Sequence, residues 1–191
     1  MKKSKDDLTY EYVASRLEYN PKDGLLIWKP KAADCGEASW RRWNTRYAGT
    51  PAGSFMTIRV GRERKTVKTY RRVHLGTRDY LSHRIAWLLH YGEWPSLDID
   101  HINGISTDNR IANLRKATKS QNSSNRKNYG QTSQYRGVSW HRAGWYAQLK
   151  QNQKHILAKH FASEEAAARA YDEAAKVAFG AFAVLNFPDA A

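Results

Sequence analysis

One short polar stretch of the sequence combines residue types that could bind a metal ion and move a proton. Residues 98–122 read DIDHINGISTDNRIANLRKATKSQN, with one histidine and four asparagines around a single Asn-Gly pair. Asp100 and Asn122 offer oxygen ligands of the kind that Mg²⁺, Mn²⁺ and Ca²⁺ prefer. His101 carries an imidazole, which can take a proton from an attacking water molecule near neutral pH. The stretch therefore predicts either a metal-assisted hydrolytic site or a set of polar turns.

The pattern around these residues predicts the elements that would bring them together. The apolar positions between residues 98 and 102 favour a strand that ends at an Asn103-Gly104 turn. Residues 108–110 read as a short helical turn, and residues 113–117 read as a returning strand. Residues 118–121 have the spacing of a capping box, so a helix should begin there. The order strand, strand, helix would place the aspartate and histidine of the first strand near the asparagine of the helix.

Two other interpretations of this stretch compete with a metal site. Segments rich in Asn and Asp are most often turns and caps, which explains any one of these residues better than it explains all of them together. A calcium-binding EF-hand loop could begin at Asp98 and Asp100, but Ile102 stands at the next ligand position and no glutamate closes the loop. Two protein oxygens are too few for a closed cage, which leaves room for water and phosphate oxygens, as is usual for Mg²⁺.

The charge of the chain indicates a polyanionic partner. The 191 residues include 32 Lys and Arg against 18 Asp and Glu, a formal net charge of +14. Nucleic acid is the first choice for such an excess and an anionic membrane surface the second. No apolar run approaches the roughly 20 residues that span a bilayer. The basic residues are also interleaved with Trp and Tyr, so a nucleic-acid partner and no membrane contact are expected.

The cysteine content and the first residues predict a cytoplasmic setting. Cys35 is the single cysteine, so neither an internal disulfide nor a CxxC pair for structural zinc is expected. The segment MKKSKDDLTYEY lacks the apolar centre of a signal peptide.

The remaining N-terminal sequence reads as a β-rich extension followed by a helix. Residues 8–30 predict a short helix and then a hairpin, and strands are predicted over 55–60 and 66–76, with Val67, Val73 and Leu75 facing one way. A helix should begin with Ser82 as its N-cap and end at Gly92. These elements are therefore read as an extension of the domain that contains the polar stretch.

Residues 31–48 read as irregular and alternate arginines with aromatic residues. Trp40-Arg41-Arg42-Trp43 suits a loop that lies on DNA, with Arg41 and Arg42 as contacts. A surface loop that places its two tryptophans in the core explains the same residues equally well. Both interpretations stay open at this point.

Two quoted segments resemble a known nuclease family. SHRIAWLLHYGEWP and DHINGISTDNRIANLR, within residues 80–127, resemble the HNH family of ββα-metal endonucleases, in the subgroup typical of phage and intron homing endonucleases. The first His of that family corresponds to His101, the acid before it to Asp100, and the middle Asn to Asn113. The final His is replaced by Asn122, as in many members of this subgroup.

The resemblance implies a role for each of these positions. His101 would be the general base, Asp100 and Asn122 would bind one catalytic Mg²⁺ or Mn²⁺, and Asn113 would hold the loop of the base across the hairpin. Hydrolysis would leave 5′-phosphate and 3′-hydroxyl ends. Family members often carry zinc-binding cysteines behind the motif; this chain has none there, so packing alone would support the site.

The C-terminal third resembles a second family. YRGVSWHRAGWYAQL at residues 135–149 and AKHFASEEAAARAYDEAAKVAFGAFAVLNFP at residues 158–188 resemble the APETALA-two/ethylene-response-factor DNA-binding domain. That resemblance implies a three-stranded antiparallel sheet packed on one helix, with the sheet in the major groove. The implied base and phosphate contacts are Arg136, Ser139, His141, Lys150 and His155, with Arg142 and Lys154 on phosphates. Ser139, His141 and His155 stand where plant members have arginines, so the plant target sequence does not transfer.

Together these observations predict an α+β protein with two domains. Residues 1–127 would form the nuclease domain (extension 1–79, lead-in helix and ββα core 80–127), 128–134 a polar linker with Arg126 and Lys127 beside it on DNA phosphates, and 135–188 the DNA-binding domain. The expected function is a site-directed endonuclease on double-stranded DNA, of the homing type found in phages or mobile elements, acting as a monomer or homodimer. The alternatives are a restriction-type enzyme and a DNA-binding regulator with an inactive nuclease remnant.

Overall fold

A computed structural model of the chain describes residues 8–33, 37–60, 66–124, 132–142 and 144–188. These fall into two compact units, residues 1–116 and 117–191. The elements of the first unit are α1 (Tyr10–Ala14), β1 (Leu17–Asn20), β2 (Leu25–Trp28), α2 (Glu37–Tyr47), β3 (Ser54–Val60), β4 (Thr66–Leu75), β5 (Arg78–Leu81), α3 (Ser82–Tyr91), β6 (Asp98–His101) and β7 (Leu114–Ala117), whose last residue begins the second unit. The elements of the second unit are α4 (Lys119–Ser124), β8 (Val138–His141), β9 (Gly144–Gln151), β10 (Lys154–Phe161) and α5 (Glu164–Phe179). No helix in these described ranges is long and apolar enough to cross a membrane.

The first unit packs small sheets around the helix α3. Strand β1 pairs with β2, β4 lies between β3 and β5, and β6 pairs with β7. Ile85 and Leu88, three positions apart on α3, are buried against strand residues such as Val73 and Leu26. The helix ends at Gly92, which has a φ of 78° and donates its N–H to the Leu88 carbonyl at 2.8 Å. The predicted end of this helix is confirmed.

One local prediction for the first unit is wrong. Ser82 is the first residue of α3 rather than its N-cap, because β5 runs directly into the helix and Leu81 still pairs with Arg72. Val67 does not share the burial of Val73 and is 56% exposed. Its end of β4 pairs with β3 alone, so the ribbon extends beyond the core that covers the other end.

The segment predicted as irregular contains the helix α2. Trp43 and Tyr47 lie four positions apart on it, with ring centroids 4.6 Å apart, and Trp43 meets Trp28 edge-on at 5.1 Å. This contact with the β1–β2 hairpin explains a helix that the local sequence does not predict. Arg41 and Arg42 are exposed on its surface, whereas Trp43 is half-buried. The interpretation with tryptophans packed inward therefore describes Trp43, and DNA contact by the two arginines stays a prediction.

The second unit consists of the helix α4 and a three-stranded antiparallel sheet with α5 packed on one face. Helix α4 begins with the predicted capping box: Thr118 N–H donates to Gln121 Oε1 at 2.8 Å, and Gln121 N–H donates to Thr118 Oγ1 at 3.3 Å. Ser163 caps α5 by accepting from Ala166 N–H at 3.1 Å. Helix α4 lies in the second compact unit, and the predicted domain limits at residues 127 and 135 stay predictions.

Asp172 on α5 ties the chain after the helix to the sheet. Its carboxylate accepts from the Asn186 N–H at 2.8 Å and from the Phe187 N–H at 2.9 Å. Asn186 in turn accepts from the Arg136 N–H at 2.6 Å and donates to the Arg136 carbonyl at 3.2 Å. Backbone donors therefore satisfy the buried carboxylate of Asp172.

Candidate active site

The imidazole of His101 is buried and held in one orientation. It closes strand β6, is 7% exposed, and lies with Nε2 3.2 Å from Asn109 Oδ1. An amide oxygen only accepts, so Nε2 carries the proton and Nδ1 keeps the lone pair. Burial lowers the pKa of His101, which favours the neutral imidazole that a general base requires.

Asn109 is the orienting residue that the sequence reasoning did not identify. It is 3% exposed, and its carbonyl accepts from the Tyr19 hydroxyl at 2.8 Å. At Gly24, in the β1–β2 turn, a Cβ atom would clash with the backbone nitrogen of Arg110, so the turn packs directly on this loop. The N-terminal hairpin therefore fixes Asn109, which in turn fixes the tautomer of the base. The only sequence signal was an amide residue within the same polar stretch.

Asp100 immediately precedes the base and is held by an arginine. Both Nε and Nη2 of Arg115 lie 2.9 Å from Asp100 Oδ2, across the β6–β7 pair. The Asp100 side chain is 6% exposed, so the arginine compensates a buried negative charge beside His101. The site thus joins a carboxylate, a guanidinium and an imidazole within one small hairpin.

Asn113 connects the two arms of the hairpin. Its Oδ1 accepts from the Asn103 N–H at 3.0 Å, and its Nδ2 donates to the Asp108 carbonyl at 2.8 Å. Its own carbonyl accepts from the Ile102 N–H at 2.9 Å. These bonds hold both sides of the loop that follows the base, the geometry that a loop-holding role requires. Any further catalytic role of Asn113 stays a prediction.

Hydrogen bonds to the Asp108 carboxylate stabilise the turn after Asn103-Gly104. Asp108 accepts from Arg110 Nη2 at 2.6 Å and from Asn103 Nδ2 at 2.8 Å. These bonds, first of all those from Arg110, lower the pKa of Asp108 to about 2. The helical turn predicted over residues 108–110 is wrong; a 3₁₀ turn follows at Ile111–Asn113 instead. The side-chain bonds of Asp108 hold its own segment in a non-helical turn.

Asn122, the predicted second metal ligand, lies on α4 in the second unit. It is half-buried, and its N–H donates to the Thr118 carbonyl at 2.9 Å. Among the described residues, no three His, Cys, Asp or Glu side chains are grouped as ligands of one metal ion. Metal binding by Asp100 and Asn122 therefore stays a prediction.

The hairpin with its acid, histidine and asparagine is the part of the chain with recognisable relatives. Residues 80–124 match the family model of the HNH endonucleases. This match runs from the end of β5 to the end of α4, so the chain carries an HNH endonuclease domain there. Comparisons with curated proteins and with solved structures gave no significant match.

Another histidine of the HNH domain packs against the base. The ring of His83 on α3 meets that of His101 edge-on at a centroid distance of 5.1 Å, and Tyr70 on β4 meets His83 at 5.9 Å. His83 is 6% exposed. Burial, then the nearby His101 and Arg84, lower the pKa of His83 to about 3. The burial of His83 agrees with a packing role for its ring.

The buried His83 should make the protein sensitive to mild acid. The unfolded chain binds a proton at His83 below about pH 6.5, whereas the folded chain does not until about pH 3. The free energy of unfolding is therefore highest above the unfolded pKa. It decreases as the pH is lowered, by about 2 kcal/mol between pH 7 and pH 5. Urea unfolding at the two pH values measures this loss. His83→Phe should reduce it, while His74→Gln at an exposed position should leave it unchanged; an equal loss in all three proteins would contradict the assignment.

Most of the predicted DNA contacts of the second unit lie on one face of its sheet. Val138, Ala147 and Leu149 are buried under α5, and the alternation along the strands turns the opposite face outward. That opposite face carries Ser139, His141, Lys150 and His155, with Lys150 directly opposite His155. Tyr146 and His160 lie beside His141 on this face.

The other predicted contacts have different positions. Arg142 lies at the tip of the β8–β9 hairpin, and Lys154 begins β10 after the two-residue turn Asn152-Gln153. Arg136 is half-buried and interacts with Tyr171, whose pKa is raised by burial and lowered in part by this arginine. Arg126 and Lys127 lie outside the described residues. DNA contact by any of these side chains stays a prediction.

Proposed function

We propose that this protein is a site-directed DNA endonuclease of the homing type, in which the HNH domain cuts DNA and the sheet of the second unit selects where. The observation that carries the proposal is the oriented base: His101 with Nε2 turned to Asn109 and Nδ1 left to accept a proton. A buried imidazole fixed in this way beside a carboxylate has little use in a purely structural hairpin. The HNH match at residues 80–124 supports the reaction class.

The reaction follows from the position of the lone pair. Nδ1 of His101 takes a proton from water, and the resulting hydroxide attacks the scissile phosphorus. The bond from phosphorus to the 3′ oxygen breaks, and the leaving 3′ oxygen takes a proton from solvent water, giving a 5′-phosphate and a 3′-hydroxyl end. His101 then returns its proton to solvent. Asn109 keeps the imidazole in the correct tautomer during this step, because its amide oxygen holds the proton on Nε2.

A divalent cation fits the donor chemistry of the site. Asp100 supplies a carboxylate next to the base, and the amide of Asn122 is the second oxygen donor of the proposal. Mg²⁺ or Mn²⁺ bound there would neutralise negative charge on the phosphate and on the leaving oxygen. Arg115 already pairs with Asp100, so the carboxylate would contact both the guanidinium and the metal ion.

DNA binding is proposed for the outward face of the second-unit sheet. Ser139, His141, Lys150 and His155 would contact base edges and phosphates, with Arg142 and Lys154 on phosphates at the hairpin ends. The net charge of +14 supports a phosphate backbone as partner. Arg41, Arg42, Arg126, Lys127 and Arg136 complete the proposed contacts. Affinity should fall steeply with salt, because each lysine or arginine on a phosphate releases counterions.

A DNA-binding regulator with an inactive nuclease is the second candidate. The observation in its favour is the ion pair of Asp100 with Arg115, which satisfies the carboxylate without a metal ion.

One site per chain cuts one strand, so an active monomer should nick DNA, and a double-strand break requires a dimer or two events.

Incubation with supercoiled plasmid separates the two candidates. We expect nicked circles to form in Mg²⁺ or Mn²⁺ and to be absent when EDTA is added, because the cation is needed at the phosphate. Gel electrophoresis of the plasmid forms over time measures the reaction. DNA binding in a mobility-shift assay without any nicking, in either metal, would exclude the endonuclease and leave the regulator.

A further inference from the structure

Strand β4 contacts the loop that follows His101, the proposed general base. Ser106, in the loop after the base, donates its hydroxyl to the Thr69 carbonyl at 2.7 Å. Tyr70, the next residue of the strand, contacts His83, and His83 contacts His101. These contacts fix the segment around Thr69 beside the active-site loop, although β4 lies outside the match to the HNH family.

Lys68 is the cation that β4 brings to this contact. It precedes Thr69 and lies on the same side of the strand as Tyr70, because side chains alternate along a strand. Lys68 is half-buried. Tyr70, two positions further along on that side, contacts His83, which in turn contacts His101.

Among the described residues, Lys68 has no acidic partner, in contrast to the two arginines of the HNH hairpin. Arg115 is paired with Asp100, and Arg110 is paired with Asp108. No hydrogen bond or ion pair within the described part of the chain involves Lys68. A half-buried lysine in this position is available to pair with an anion that binds beside the strand.

We propose that Lys68 binds a non-bridging oxygen of the scissile phosphate, and this inference rests on the proposed endonuclease function. A lysine contributes a compact charge with three donors on a flexible stem, which suits a phosphate approached from the side of the sheet. Negative charge on those oxygens grows as hydroxide attacks, so the ammonium stabilises the transition state more than the bound substrate. The strand thus completes the site from outside the HNH domain.

The test uses three variants of the full chain. Lys68→Met removes the charge and keeps much of the stem, and Lys68→Arg keeps the charge. Lys176→Met is the matched control, since it removes one positive charge from α5, where Lys176 pairs with Glu173 at 3.4 Å. Plasmid nicking in Mn²⁺ is measured with protein in large excess over DNA, so that the rate reports a single turnover. DNA affinity is measured in EDTA over a series of salt concentrations.

We expect Lys68→Met to nick about 10²-fold more slowly than the wild type, as is typical for loss of one transition-state donor. Its slope of log affinity against log salt should fall by about 0.9, the change for one lost phosphate contact. Lys68→Arg should nick faster than Lys68→Met. The control should show the wild-type rate and slope.

The outcomes distinguish failure of this inference from failure of the proposed function. A wild-type protein that nicks, with Lys68→Met nicking equally fast, overturns the role of Lys68 alone. An unchanged salt slope in Lys68→Met also overturns it, since a purely structural lysine would slow the reaction without losing a phosphate contact. A wild-type protein that binds DNA and never nicks overturns the endonuclease and this inference with it.

Discussion

His101→Ala should abolish detectable plasmid nicking while DNA binding persists. The substitution removes Nδ1, the proposed acceptor of the water proton, and a positioned general base contributes about 10²- to 10⁴-fold to such reactions. The loss should appear in single-turnover nicking assays, and affinity in EDTA should stay close to that of the wild type, since affinity comes mainly from the lysines and arginines on phosphates, which the substitution leaves in place.

A matched control separates the base from a general loss of histidine. His74→Ala removes another imidazole of the first unit, which is 66% exposed and pairs with Asp79 at 3.0 Å, and should nick at the wild-type rate. Near-normal nicking by His101→Ala would remove His101 from the role of base. Loss of both nicking and DNA binding would instead point to misfolding, which a thermal melt of the variant would reveal.

Deletion of residues 130–191 should separate cutting from site choice. The truncated chain keeps the HNH match at residues 80–124 and loses the sheet β8–β10 with its outward face. Specific DNA binding generally exceeds non-specific binding by about 10³-fold or more, so preference for a target over random DNA should largely disappear. Slow metal-dependent nicking should remain, because the base and Asp100 are still present.

The measurement is a competition between target and random plasmid, after the target has been found by sequencing the nicks of the full chain. Asp172→Asn is a second variant for the same assay. It replaces the carboxylate that accepts from the Asn186 and Phe187 N–H groups and keeps the full chain length. If the truncated protein chose its site as well as the full chain, the division of labour between the units would be refuted.

The HNH hairpin shows how much the sequence could predict. The capping box at Thr118 and Gln121, the strand before Asn103-Gly104 and the returning strand all depend on neighbouring residues, and all are present. Such signals are local, so composition and spacing suffice to find them. The candidate base and its adjacent acid followed from the same stretch and from its resemblance to a family.

Contacts between distant parts of the chain escaped the sequence reasoning. Helix α2 forms where Trp43 meets Trp28, and Ser82 begins α3 without capping it because β5 continues up to Leu81. The contact between Asn109 and His101 is recognised only in the folded hairpin. Packing decided each of these cases against the local preference.

The sequence by itself indicated an HNH nuclease, the strand–strand–helix order, a candidate histidine with its adjacent acid, and the excess of positive charge. Residue types and short spacings carry that information, because they act within one or two turns of chain. The tertiary structure alone showed that His101 Nε2 faces Asn109, that Arg115 pairs with Asp100, and that β4 contacts the loop after His101. Those features depend on segments far apart in sequence, which only a packed core can hold at hydrogen-bonding distance.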